Sequence, residues 1–296
     1  MKLAVIGSIN MDQVVTTERI PSKGETLAGD DLKYIPGGKG ANQAVAMARL
    51  GADVSMFGAV GDDDNGRQLL AALKNEGIDV SSVAVKAEAP TGLAIITVSE
   101  NDNVIIFIKG ANGLVDREYI DSIADQLTDK DLVVLQHEIP LDTVHYAVSF
   151  CYEKGIPVVL NPAPAADVPK EVVDKISYLT PNEHEAALIF GKDKTVEEML
   201  TENKGKLIIT RGSEGVSTCL EDGTILTVPP IKVNIVDTTG AGDTLNGAFS
   251  VRIAAGDSIE EALRYANTAA GLSIEKFGAQ GGMPTAAEVD ERMSKA

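Results

Sequence analysis

Apolar residues in this chain fall into short continuous runs that alternate with stretches of helical period. Leu3-Ala4-Val5-Ile6 is a run of four ending at Gly7-Ser8, the pattern of a buried strand. The period changes at Asn42 (NQAVAMARLG), which predicts a helix from there to a stop at Gly51. Between them, Asp12 to Gly40 is rich in Thr, Gly, Pro and charge and contains alternating pieces such as Gln13-Val14-Val15-Thr16. That interval is too long for a plain loop in a compact domain and predicts an inserted pair of strands. Val54 to Val60 reads as one strand, and Asn65 to Glu76 as a helix with Leu69, Leu70 and Leu73 on one face. Leu93 to Val98 and Val104 to Ile108 predict a hairpin turning at Asn101-Asp102-Asn103.

Beyond Asp116 the alternation becomes regular. Strands are expected at Leu132–Gln136, Ile156–Leu160, Leu207–Thr210, Val216–Leu220 and Ile225–Val228. Helices are expected at Leu141–Glu153, Glu183–Phe190, Ala241–Ala255 and Ser258–Phe277. Strands separated by helices indicate a mostly parallel sheet covered on both faces. No repeat, low-complexity tract or linker divides the 296 residues, so a single α/β domain is expected. Val104 to Ile108 is apolar on both pleat faces, unlike an antiparallel strand with one wet face. It is either a core strand of the main sheet or, the favoured reading, part of a lid covered by ligand on one side and a second subunit on the other.

Composition narrows the function classes. Hydrophobic residues at 44% with 24% charged are those of a globular chain, not a disordered one. The 44 acidic against 26 basic residues leave a net charge of −18, which argues against nucleic acid or an anionic membrane as partner. Phosphate binding would therefore rest on backbone amides and a few placed cations. Cys151 and Cys219 are far apart with no CxxC, and the three histidines are scattered, so neither a disulfide framework nor a zinc site is expected. The apolar run at the N-terminus is too short for a signal-peptide core, and no stretch approaches a membrane span. A cytoplasmic protein is expected.

Several segments carry candidate chemistry. Asp237-Thr238-Thr239-Gly240-Ala241-Gly242-Asp243-Thr244 precedes an apolar helical stretch. Its small residues and the helix N-terminus make an anion site. Asp243 stands where an attacking alcohol would need a proton acceptor, or it merely caps the helix. Gly37-Gly38-Lys39-Gly40-Ala41-Asn42 is a second glycine loop opening a helix, neither a Walker A loop nor a dinucleotide fingerprint. It would close on a polar ligand with Asn42 offering an amide, or it is a loop before an Asn-capped helix. Asn10 and Asp12, two apart in an extended segment, share a face and suit vicinal hydroxyls, unless they are ordinary turn residues. Asn182 and Glu185 form a capping box or else help to position Mg²⁺-bound phosphate. Thr210-Arg211-Gly212-Ser213-Glu214-Gly215 lines a nucleotide or simply connects a hairpin. His137, His145 and His184 are given no role.

Taken in order, Gly7-Ser8-Ile9-Asn10-Met11-Asp12, the loop Gly37–Asn42, Asn182-x-x-Glu185 and Asp237–Asp243 resemble the ribokinase/phosphofructokinase-B family of sugar kinases over almost the whole chain. The resemblance implies a three-layer, ribokinase-like α/β sandwich with a mostly parallel central sheet and a small β-sheet lid, inserted at about 13–36 and 91–109. It implies ATP-dependent phosphorylation of D-ribose at O5, with Asn10, Asp12, Gly38, Lys39, Gly40, Ala41, Asn42 and Glu138 holding the sugar. Asp243 would be the base, and Gly240, Ala241 and Gly242 the anion hole. ATP would meet Asn182, Thr210 to Gly215, Gly242 and Asn267, with Glu185 helping to order Mg²⁺. A K⁺ activator would be held by Asp237 and Thr239 with main-chain groups of Ser273, Lys276, Gly278 and Gly282. The lid would pair two subunits as a homodimer. Two departures from the family pattern stand out. Leu245 replaces a common Phe, and only 24 residues lie between Glu185 and Thr210, which predicts a shortened helix there. The alternatives are a kinase for 2-deoxyribose, fructose or a nucleoside, and a non-catalytic sugar sensor.

Overall fold

In the computed structural model, which describes residues 1–99 and 102–295, five parallel strands run in the order Tyr178–Leu179, Val158–Asn161, Leu132–Gln136, Lys2–Ile6, Asp53–Phe57. Alternate side chains of Lys2–Ile6 enter opposite cores. Leu3 and Val5 pack with Met47, Phe249 and Leu263, whereas Ala4 and Ile6 pack with Ile120, Val148 and Cys151. Both faces are thus buried under helices, which is why these strands are apolar throughout rather than alternating. Isolated bridges Leu179↔Leu207 and Asn182↔Thr210 continue the sheet into an antiparallel trio, Ile208–Thr210, Val216–Cys219 and Ile225–Val228.

A second, four-stranded sheet has the order Asp31–Gly37, Asn10–Thr16, Gly92–Ser99, Asp102–Ile108, antiparallel except for its central parallel pair. The alternative of a core strand in the main sheet does not hold for the last strand: Val104, Ile105, Ile106 and Ile108 lie at the edge of this separate sheet and are all exposed. Of the turn expected at 101–103, Asn101 lies outside the described residues, while Asp102 and Asn103 already pair with Ser99 and Val98.

Other boundaries moved for physical reasons. The single strand expected over Val54–Val60 is two, Asp53–Phe57 and Ala59–Gly61, in different sheets. Between them Gly58 donates its N–H to Tyr119 Oη at 2.8 Å. The helix expected from Asn42 begins at Lys39, so Asn42 caps nothing. Its free amides are met from afar: Lys39 N–H donates to Glu138 Oε2 at 3.0 Å, and Gly40 N–H to Ser8 Oγ at 3.2 Å. The helix Ile259–Ser273 stops four residues short of expectation, and the Ile274 carbonyl instead accepts from Val236 and Asp237. Between Glu185 and Thr210, after the helix Glu183–Phe190 ends, comes the short helix Val196–Glu202. The helix Ala286–Ser294, with its Thr285/Glu288 capping box, was not expected. Among the described residues no helix is long and apolar enough to cross a membrane.

Candidate active site

Several of the polar residues singled out in the sequence collect at one end of the main sheet, the carboxyl ends of its parallel strands, where open α/β sheets bind ligands. Asn10 follows Lys2–Ile6, Glu138 follows Leu132–Gln136 and Asn182 follows Tyr178–Leu179; Asn161, not among the sequence candidates, ends the strand Val158–Asn161 beside them.

Asn10 and Asp12 lie in the strand Asn10–Thr16, on one face as their spacing requires. Asn10 is buried: its Oδ1 accepts from Asn112 Nδ2 at 2.7 Å, and its Nδ2 lies 3.4 Å from Glu138 Oε2. Glu138 Oε2 also accepts from Ser8 Oγ at 2.5 Å, so one carboxylate ties the first strand's loop to the glycine loop. Gly40 makes this possible. A Cβ there would lie 2.6 Å from the Ser8 nitrogen and 2.7 Å from the Gly7 carbonyl carbon. Burial, then the charges of Glu138 and Asp243, push the Asp12 pKa up to about 7. A carboxyl group so placed gains by meeting a hydroxyl.

Asp243 sits in the first turn of Ala241–Ala254 and is buried. It does not cap the helix: Gly240 is the N-cap, at φ 79°, and no side chain caps the amides. Its oxygens accept from Asn42 Nδ2 at 2.9 Å and Gln43 Nε2 at 3.0 Å. The carboxylate is thus held from behind at a helix N-terminus that no side chain caps, although the Ala241 N–H donates to the Thr238 carbonyl at 3.3 Å; amides at such an end can accept an anion. Lys39 reaches the same cleft, its pKa raised by Asp243 against the effect of burial, with Glu138 and Glu185 adding to it.

Asn182, Glu185 and Thr210 line this cleft with Lys39, Gly240, Gly242 and Asp243. The capping box is formed: Asn182 N–H donates to Glu185 Oε2 and Glu185 N–H to Asn182 Oδ1, both at 2.8 Å. Burial raises the Glu185 pKa, opposed by that amide and by Lys39. Arg211, Gly212, Ser213, Glu214 and Gly215 do connect a hairpin, and the Arg211 guanidinium is engaged by Glu183 and Glu214. Asn267 lies outside this cleft and donates to the Pro229 carbonyl at 2.6 Å. The cation candidates form a separate group. Asp237 Oδ1 accepts from Thr239 N–H and O–H, and Oδ2 from Gly278 N–H at 2.9 Å. Burial alone would raise the Asp237 pKa, but these bonds bring it below the usual value.

Residues in or behind the site that were not sequence candidates include Ser8, Gln43, Asn112, Gln136, Asn161, Thr180 and Asn246. Gln43 left a signal, a polar side chain next to Asn42 at the head of the apolar run Ala44–Ala48, and it proves fully buried. Asn112 left none, because its partners are about a hundred residues away in sequence.

Residues 1–286 match the pfkB family carbohydrate kinase model, and the chain belongs to that family. Within it, the chain is 47% identical over 292 residues to the ribokinase of Bacillus subtilis (strain 168), covering 99% of each. The ribokinase of Thermotoga maritima matches with a TM-score of 0.90 at 33% identity, covering 99% of both chains. The Arabidopsis thaliana ribokinase complexed with ribose and ATP matches at 0.90 and 31% identity, covering 98% of this chain and 97% of that one.

Proposed function

We propose that this protein is a ribokinase, transferring the γ-phosphoryl group of ATP to O5 of D-ribose to give D-ribose 5-phosphate. The observation that carries the reading is Asp243, a buried carboxylate fixed by two amide donors beside an uncapped helix N-terminus. Asn10, Asp12 and Glu138, with the loop Gly38 to Asn42, hold the sugar; a neutral polyol suits a site with three carboxyl groups. Asp243 accepts the 5-hydroxyl proton as the O5–P bond forms and the bond from the γ-phosphorus to the bridging oxygen breaks, releasing ADP. The amides of Gly240, Ala241 and Gly242 and the Lys39 ammonium meet the charge on the migrating group. Asn182, Thr210 to Gly215 and Asn267 flank the nucleotide.

Bound Mg²⁺ would neutralise and orient the phosphates. Glu185 fits it as a lone protein carboxylate, since this ion takes few protein ligands and fills its shell with phosphate and water. For K⁺, the donor set at Asp237, Thr239, Ser273, Lys276, Gly278 and Gly282 is hard oxygen. A Cβ at Gly282 would lie 1.9 Å from the Ser273 carbonyl oxygen, so only glycine lets the two segments approach.

The four-stranded sheet acts as a lid. By register, Ile105 and Phe107 share the face of Asp12, while Val104, Ile106, Ile108, Leu32 and Tyr34 share the opposite one. Those five side chains are exposed, an apolar face suited to a second copy of the chain. ADP release across D-ribose, 2-deoxyribose, fructose and a nucleoside, with K⁺ and with Na⁺, tests the reading. Turnover should be highest with ribose and K⁺. Ribose at background while another sugar turns over would sink the substrate assignment.

A further inference from the structure

A carboxylate can only accept hydrogen bonds, so Asp243 sets the direction of the amides behind it. Gln43 must turn Nε2 toward Asp243 Oδ1, at 3.0 Å. The same nitrogen reaches Asn161 Oδ1 at 3.3 Å, and Asn161 is itself fixed by donating to the Thr180 carbonyl at 3.1 Å. Gln43 Oε1 is thereby left facing Gln136, whose Nε2 donates to it at 2.7 Å. Flipping either glutamine alone would set N–H against N–H, or oxygen against oxygen. The last oxygen in the chain, Gln136 Oε1, is buried and has no partner among the described residues. It faces Gly7, where a Cβ would lie only 2.0 Å away. Unpaired buried oxygens are uncommon in native proteins, and this one follows from the demand made at the far end.

Gln43 and Gln136 are fully buried, and neither lines the cleft. We infer that Gln43, oriented by Gln136, is a positioning residue that holds the Asp243 carboxylate in the rotamer it uses to take the proton. The inference rests on the reading of Asp243 as the base.

Gln43→Met keeps side-chain length and removes the amide. In the full-length protein with ATP, Mg²⁺ and D-ribose, it should lower kcat about 10- to 100-fold, as expected of a misplaced reacting group. The KM for ribose should stay within about threefold of the parent. In an Asp243→Asn background the same substitution should change kcat by less than about twofold, because nothing remains to be positioned. Gln136→Met is the second variant and carries the test in both backgrounds if Gln43→Met does not fold. It exchanges one unpaired oxygen, Gln136 Oε1, for another, Gln43 Oε1, so Tm should stay within about 3 °C while kcat falls. An equal fold-loss with and without Asp243, or a rise in KM at constant kcat, would overturn the inference. Asp243→Asn impaired but both Met variants normal removes the positioning role alone. Parent-like turnover in Asp243→Asn removes the base as well.

Discussion

At the scale of single residues, the site is a set of carboxyl groups in distinct surroundings, and environment decides what each can do. Asp243 has two amide donors and an anion site beside it. Asp243→Asn should leave folding and ribose binding intact and lower turnover about 10²- to 10⁴-fold, the range for a lost general base, read by ADP release and ribose titration. Asp12 is the opposite case, crowded by Glu138 and Asp243 and pushed up to about 7 by burial and those charges. The unfolded chain loses that proton in the ordinary carboxylate range, whereas the folded protein keeps it until near neutrality. Between those pH values the native state holds the extra proton, so this group's contribution to stability falls as pH rises. Asp12→Asn should therefore raise the Tm of the ligand-free protein at pH 8, on the order of 5 °C, with the difference shrinking toward zero at pH 4. It should also raise the ribose KM about 10- to 100-fold through the lost charged hydrogen bond.

At the scale of elements, the glycine loop shows how a helix start is built from distant parts. Lys39–Arg49 has no local cap, and its first amides are satisfied by Glu138 and Ser8 from two other strand ends. That arrangement depends on backbone contact at Gly40, which no side chain would permit. Gly40→Ala should destabilise the protein by about 1–3 kcal/mol, the usual consequence of overpacking, measurable in urea unfolding. Because the loop also carries Asn42, ribose KM should rise in the same variant. The helix positions read from the sequence were right to within a few residues, since their apolar period is local. Their starts were legible at the capping boxes of Ser258 and Asn182 and also at Leu141 and Ala241, which follow Pro140 and Gly240 and have no side-chain cap.

At the scale of the molecule, two sheets meet at the cleft and one of them leaves an apolar face uncovered. Ile106, exposed on the side away from Asp12, is the place to test whether that face joins two copies. Ile106→Asp should shift sedimentation from dimer to monomer while leaving the circular dichroism of the fold unchanged; a parent protein that sediments as a monomer at assay concentration would count against the dimer.

The class of fold was legible from sequence because a strand buried on both faces must be apolar throughout, and a helix between two such strands must return the chain in parallel. The glycine-rich segments were visible for a similar reason: close approach and helix N-termini demand small residues at fixed spacing. The tertiary structure alone decided which polar groups meet. Asn112 reaches Asn10, Glu138 reaches Lys39 and Gln136 reaches Gln43 across sequence separations of 102, 99 and 93. Hydrogen bonding constrains such partners by distance and angle, not by separation along the chain, so no local pattern encodes them.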